Sequence, residues 1–218
     1  MPDVGRPASV GRIVTSPDSR VLRWLREHCP AIEPRYTVAD YCHWEGRWEL
    51  WNGFPVAMTP GPFGRHAKAL TDAAAAFKQA VDAARAEGVG CQATVLTEID
   101  WIISTDTVVR PDLVVVCGGV PERHVEAAPA IVVEILSAAT RQRDRTVKQE
   151  LYQQQGVAWY VLIDPDAGSV ELLELAADSM PPSWQPRPAT GTVAMKICNR
   201  CQLVVSLAEV AGSRPEPP

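Results

Sequence analysis

Ala130-Ile131-Val132-Val133-Glu134-Ile135-Leu136 is a run of branched apolar residues broken by a single acid. Isoleucine and valine on either side predict a strand buried on both faces. A carboxylate in such a strand is costly unless it is paired, hydrogen-bonded or bound to a metal. A second apolar run lies upstream in Arg110-Pro111-Asp112-Leu113-Val114-Val115-Val116, with Asp112 at its mouth. Lys148 follows on a helix expected to begin between residues 140 and 144. Two acids at strand ends with a cation nearby suit a divalent metal and a phosphate.

Outward from these strands, the next helix is expected over about 144–155, stopped by Gly156. On it Asp144, Lys148 and Tyr152 recur every four residues and share a face, while Val147 and Leu151 point to the core. An acid four residues before a lysine is also an ordinary helix pair, worth about 0.2–0.5 kcal/mol. Strands at 159–163 and 170–175 are joined by Asp164-Pro165-Asp166-Ala167-Gly168, a turn set by Pro and Gly. Residues 178–190 hold four prolines and no periodicity, which predicts a loop. A strand pair and a short helix near 206–210 close the domain.

Upstream, Asn52-Gly53 is the preferred dipeptide of a two-residue hairpin turn, and it separates Arg47–Trp51 from Phe54–Met58. Pro55 places the second strand at an edge or at its start. Thr37 caps a helix of one or two turns. A long helix over about 64–87, with a stripe of Leu70, Ala73, Ala74, Phe77, Ala80, Val81 and Ala84, ends at Gly88. A further strand is expected at 91–99, and the Asp112 strand over 108–116. The order predicts an α+β (α/β-like) domain with a mixed central sheet flanked by helices. It spans residues 37–210, between an extension over 1–36 and a disordered tail over 211–218. The extension holds a short amphipathic stretch at residues 21–26.

The chain has 218 residues, 46% of them hydrophobic and 22% charged, as expected for one globular domain. No apolar run approaches the roughly 20 residues of a membrane helix, and the first residues lack a secretory apolar core. A cytoplasmic protein with no membrane partner is the expectation. The net charge of -5 argues against general attraction to nucleic acid. A local basic run, Arg141, Arg143, Arg145 and Lys148, is either a solvated helix face or a phosphate patch. Six cysteines show no regular framework and are expected as reduced thiols. Cys198-Asn-Arg-Cys201 is a single CxxC, and without a second pair it argues weakly for zinc.

In sequence order, Trp48-Glu49-Leu50-Trp51-Asn52-Gly53, Met58-Thr59-Pro60 and His66 resemble the opening of the Uma2 family, also catalogued as a domain of unknown function. Pro111-Asp112-Leu113-Val114-Val115, Val133-Glu134-Ile135-Leu136-Ser137, Thr140, Asp144, Lys148, Tyr152, Gly156-Val157 and Asp164-Pro165 continue the pattern. The likeness runs over about 37–210. Uma2 proteins are placed in the PD-(D/E)XK superfamily, which implies a restriction-endonuclease-like fold and a magnesium-dependent phosphodiesterase site, with manganese as a possible substitute. The resemblance implies an endonuclease on nucleic acid, DNA before RNA, working as a homodimer.

Carried over, Asp112, Glu134 and Lys148 would be catalytic. Lys148 would stand in for the lysine that many such nucleases hold two residues after the second acid, where this chain has Leu136. Asp112, Glu134 and the Ile135 carbonyl would hold the metal. Glu49, His66, Asp144 and Tyr152 would be accessory. Glu49 could equally face solvent by strand alternation, and His66 could simply cap or pack near its helix start. Ser137-Ala138-Ala139-Thr140 departs from the family's Ser-Pro-Ser-Thr, and Asn52 and Phe54 stand where Asp and Glu are common. The competing reading is a nuclease fold that has lost catalysis and serves as a binding or interaction module.

Overall fold

Around the Glu134 strand the chain builds a mixed six-stranded sheet in the order β10-β9-β8-β7-β6-β3. Its strands are β3 (Ala93–Thr97), β6 (Leu113–Cys117), β7 (Ile131–Ile135), β8 (Trp159–Asp164), β9 (Ser169–Leu175) and β10 (Trp184–Arg187). Only β7 and β8 run parallel; every other neighbouring pair in this sheet is antiparallel. A parallel pair needs a crossover, and the helical stretch after β7 supplies it. This computed structural model describes residues 35–58, 64–88, 90–176 and 181–210. The stretch at 21–26, most of the extension, the Pro60-Gly61-Pro62 turn and the tail at 211–218 lie outside the described residues.

A second sheet, β2-β1-β5-β4, holds β1 (Trp48–Trp51), β2 (Phe54–Ala57), β4 (Trp101–Ser104) and β5 (Thr107–Val109). Asn52 (φ 49°) and Gly53 (φ 82°) form the expected tight turn between β1 and β2. A Cβ on Gly53 would meet Arg35 Cβ at 3.0 Å and the Tyr36 carbonyl at 3.2 Å. Both the positive φ and the close approach therefore call for glycine. Before this hairpin, α1 (Val38–Tyr41) is capped by Thr37, which exchanges hydrogen bonds with Asp40.

The long helix α2 (Gly64–Ala86) covers one face of the large sheet through Ala69, Ala73, Phe77, Ala80, Val81 and Ala84. A separate hairpin, β11 (Thr192–Ile197) and β12 (Cys201–Ser206), and the short helix α5 (Leu207–Val210) pack on the same side. Beyond β7 come α3 (Arg141–Arg143), a π-helical stretch over Asp144–Lys148, and α4 (Gln149–Gln154). No helix among the described residues is long and apolar enough to cross a membrane.

Three expectations are corrected. The strand expected over 108–116 is two strands: β5 closes a hairpin with β4, and Pro111 separates it from β6. The Pro-rich stretch 178–190 is not all loop. Trp184 buries its ring, and β10 pairs with β9 as an edge strand, where Pro186 is tolerated. The cysteines are not all reduced: Cys91 pairs with Cys201 and Cys117 with Cys198. Partners 110 and 81 residues apart leave no local spacing signal. Among the described residues, Cys42 is the free thiol.

Candidate active site

Alternation along β7 sends Ile131, Val133 and Ile135 to the α2 face, and Val132 and Leu136 to the other. Glu134 shares the second face. The antiparallel register pairs Leu113 with Val133. One step further along it, Asp112 stands opposite Glu134. The Ile135 N–H donates to Asp112 Oδ2 at 2.7 Å, tying the two strand ends together.

Glu134 is only 3% exposed and accepts from Lys148 Nζ at 3.0 Å and from the Tyr152 hydroxyl at 2.7 Å, both on Oε1. Burial pushes its carboxyl well above the usual range, a rise that Lys148 partly offsets and the acids Asp144, Asp112 and Glu49 reinforce. Lys148 also lies 3.1 Å from Glu49 Oε1 and 3.9 Å from Asp144 Oδ1. Burial alone would drive the ammonium toward neutrality. Glu134, Glu49, Asp144 and Asp112 outweigh it and keep the pKa above the ordinary lysine value. Lys148 is therefore charged at neutral pH.

Glu49 comes from β1 and is buried, so of its two readings the inward one is observed. It also accepts from the Arg110 N–H at 2.8 Å. Asp144, likewise buried, is pushed up to about 6, chiefly by burial. His66 enters from the first turn of α2, with Nε2 3.4 Å from Asp112 Oδ2. Its hydrogen bond to Asp112 raises its pKa, against the downward pull of burial.

Tyr152 sits behind Glu134, fully buried and stacked on Trp101 at 5.7 Å between ring centroids. The sequence reading missed Tyr160, whose hydroxyl donates to the Asp144 carbonyl at 2.9 Å. It reads as one more apolar strand residue. On β8 it stands opposite Val132 of β7, two positions before Glu134, a register that the sequence alone does not give. The π-helical stretch was also invisible, because Asp144, Lys148 and Tyr152 satisfy a regular helical spacing.

Asp112, Glu134, Lys148, Glu49, His66 and Asp144 line one cleft of about 620 Å³. Arg47, Arg65, Arg110 and Arg143 line it too. Arg47 pairs with Glu98, Arg65 with Asp166 at 3.2 Å, and Arg110 with Asp100 at 2.7 Å. Arg143 lies over the Trp51 ring at 6.0 Å. No three His, Cys, Asp or Glu side chains among the described residues stand at metal-holding spacing. Lys148 lies between Glu49 and Glu134. Yet four acids face one lysine and one histidine, and every candidate donor is a hard oxygen. The residues fit a magnesium ion that keeps most of its waters and takes few protein ligands.

The family model for Uma2, described as "Putative restriction endonuclease", matches residues 38–201. The chain belongs to the Uma2 family. The match includes every residue of the cleft cluster, from Glu49 to Lys148, and Tyr152 and Tyr160 behind it. No curated protein matches the chain. Among solved structures, this Uma2 chain resembles one described as a "putative nuclease belonging to DUF820" from Anabaena variabilis ATCC 29413. The TM-score is 0.59 at 17% identity, over 81% of this chain and 97% of that one. At that identity the likeness establishes a shared fold.

Proposed function

We propose that this Uma2 protein is a metal-dependent endonuclease that hydrolyses phosphodiester bonds in nucleic acid, DNA in preference to RNA. The carrying observation is the buried cluster of Glu134, Glu49 and Asp144 around Lys148, opening past Asp112 into an arginine-bearing cleft. So many carboxylates around one ammonium are hard to justify by stability, since apolar residues of similar volume serve a core as well or better.

Asp112, Glu134 and the Ile135 carbonyl would hold magnesium, with manganese as a substitute. The bound ion supplies Lewis acidity to the phosphate and makes hydroxide available near neutral pH. The chain's own groups do the rest. Tyr152 fixes the orientation of Glu134 through its 2.7 Å bond. Lys148 donates to Glu134 and is ion-paired with Glu49 and Asp144, and in the reaction it would meet a phosphoryl oxygen or orient the attacking water. His66, held by Asp112, would add a positive charge at the mouth when protonated, a form that the hydrogen bond to Asp112 favours. Arg143, over the Trp51 ring, and the ion-paired Arg47, Arg65 and Arg110 are the cations that a phosphate backbone would meet in the cleft. A homodimer would supply two sites for two strands.

The test is cleavage of single- and double-stranded DNA and of RNA with magnesium, with manganese and with a chelator. Metal-dependent cutting that Glu134→Gln removes, in a protein that still melts cooperatively, supports the reading. Binding without cutting under every metal would replace it with a binding module built on the same fold.

A further inference from the structure

The arginines that line the cleft are not alike. Arg47, Arg65 and Arg110 each meet an acid, Glu98, Asp166 and Asp100 in turn. Arg143 meets no acid among the described residues; its contact is the face of the Trp51 ring. A paired arginine offers a phosphate only the charge its partner leaves uncancelled. A guanidinium resting on an aromatic ring keeps its full charge and its planar fork of N–H donors.

β1 relates this arginine to the buried cluster. Glu49 and Trp51 stand two residues apart on β1 and so share a face. Glu49 lies 3.1 Å from Lys148, and Trp51 lies under Arg143. Two steps along a strand advance about 6.7 Å. The anchors of the two cations are thus spaced much like consecutive phosphates of a polynucleotide strand. The loop leading to Arg143, residues 137–140, lines the same cleft with small, uncharged side chains. Its Ser137 and Thr140 hydroxyls bond to each other at 3.0 Å. That wall leaves room for a strand and brings no carboxylate to compete for Arg143.

We infer that Arg143 binds the phosphate next to the scissile one, and so sets which linkage of the strand lies over Glu134 and Lys148. This rests on the nuclease reading above and adds to it the register of the substrate. A phosphate contact positions a strand without reading its bases, so Arg143 acts on every sequence alike. Lysine is no equivalent here, because a compact ammonium has neither the plane that lies on Trp51 nor the fork that takes two phosphate oxygens.

The experiment measures binding of a fluorescent DNA oligonucleotide, single- and double-stranded, to the full chain. It is run in a chelator, and again with magnesium in the Glu134→Gln variant, so that the strand stays whole. Arg143→Gln keeps a stem over Trp51 and loses the charge. It should weaken binding by about 10-fold and reduce the slope of affinity against salt by about 1. Arg143→Lys should keep that slope and lose part of the affinity. Arg145→Gln, on the same helical stretch but paired with Glu171 and outside the cleft, should bind as the wild type does.

A strand carrying one uncharged methylphosphonate linkage separates contact from mere packing. Moved along the strand, the neutral linkage should weaken binding by wild-type Arg143 most at the phosphate beside the cut. Arg143→Gln should be indifferent to it there. An arginine that only shields Trp51 would lower affinity on substitution and leave that sensitivity in place. DNA cutting by the wild type, combined with equal methylphosphonate sensitivity in Arg143→Gln or an unchanged salt slope, overturns this inference alone. A wild type that neither binds nor cuts DNA overturns the nuclease reading with it.

Discussion

Val133 and Glu134 are neighbours on β7 and both are sealed from solvent, yet they belong to different interiors. Val133 faces α2 in a wholly apolar cluster with Phe77, Leu113 and Val161. Glu134 faces Lys148, Tyr152, Asp144 and Glu49, contributed by the helical stretch after β7 and by β1. The first interior is held by transfer of apolar surface from water, which any side chain of the right size supplies. The second is held by particular partners, and removing one leaves the others uncompensated. Burial is therefore a poor guide to role in this protein. What distinguishes the faces is whether a substitution touches chemistry as well as stability.

The largest expected effect separates them directly. Glu134→Gln should lower metal-dependent cleavage by at least about 100-fold while the melting temperature stays near that of the wild type, because Lys148 keeps Glu49 and Asp144. Phe77→Ala, on the opposite face, should cost about 3–5 kcal/mol in denaturant unfolding and leave the activity of the folded fraction unchanged. Equal loss of activity per folded molecule in both variants would erase the distinction.

Next in size is Lys148→Met, which takes the cation from three buried acids. We expect a loss of about 3–5 kcal/mol at neutral pH, shrinking as pH falls through about 6, where Asp144 takes up a proton. A variant as stable as the wild type at pH 7 would mean the acids do not depend on Lys148. Tyr152→Phe should be smaller. It removes a hydrogen bond to a charged group, worth about 1.5–3 kcal/mol, and should depress turnover more than substrate binding. An unchanged turnover number would free Tyr152 from any role in orienting Glu134.

The smallest effect is a slope. Asp144 titrates at about 6 when folded, against an ordinary 3.8, because it is buried. A raised carboxyl is protonated more readily in the folded state, so its stabilising share is whole at low pH. That share is lost as pH rises from about 4 through 6. In the presence of a chelator the melting temperature of the wild type should fall across that window, and Asp144→Asn should flatten the fall. A slope of opposite sign would show that Asp144 is held ionised instead.

Much of the apolar face was legible. The β6 and β7 runs, the Asn52-Gly53 turn and the alanine stripe of α2 are local patterns, and each formed its element. On the polar face the individual residues were legible because a charge inside an apolar run stands out. Their mutual arrangement was not. Glu49 meets Arg110 and Lys148 across 61 and 99 residues, and strand alternation alone left it free to face solvent. The β4–β5 hairpin was concealed because Thr107–Val109 and Leu113–Cys117 read as one apolar run. β10 was concealed by its prolines, and the cysteine pairs by their separation along the chain.

The π-helical stretch Asp144–Lys148 carries a consequence for how the sequence can change. A π turn holds one residue more than an α-helix would use over the same rise. It acts as a phase shift between Arg141–Arg143 and Gln149–Gln154, turning one segment relative to the other about their common axis. Deleting a single residue there would make the helix more regular and swing Lys148 and Tyr152 away from Glu134. Along this stretch length is constrained as well as composition: a one-residue deletion that spared every cluster residue would still dismantle the cluster while leaving the fold standing.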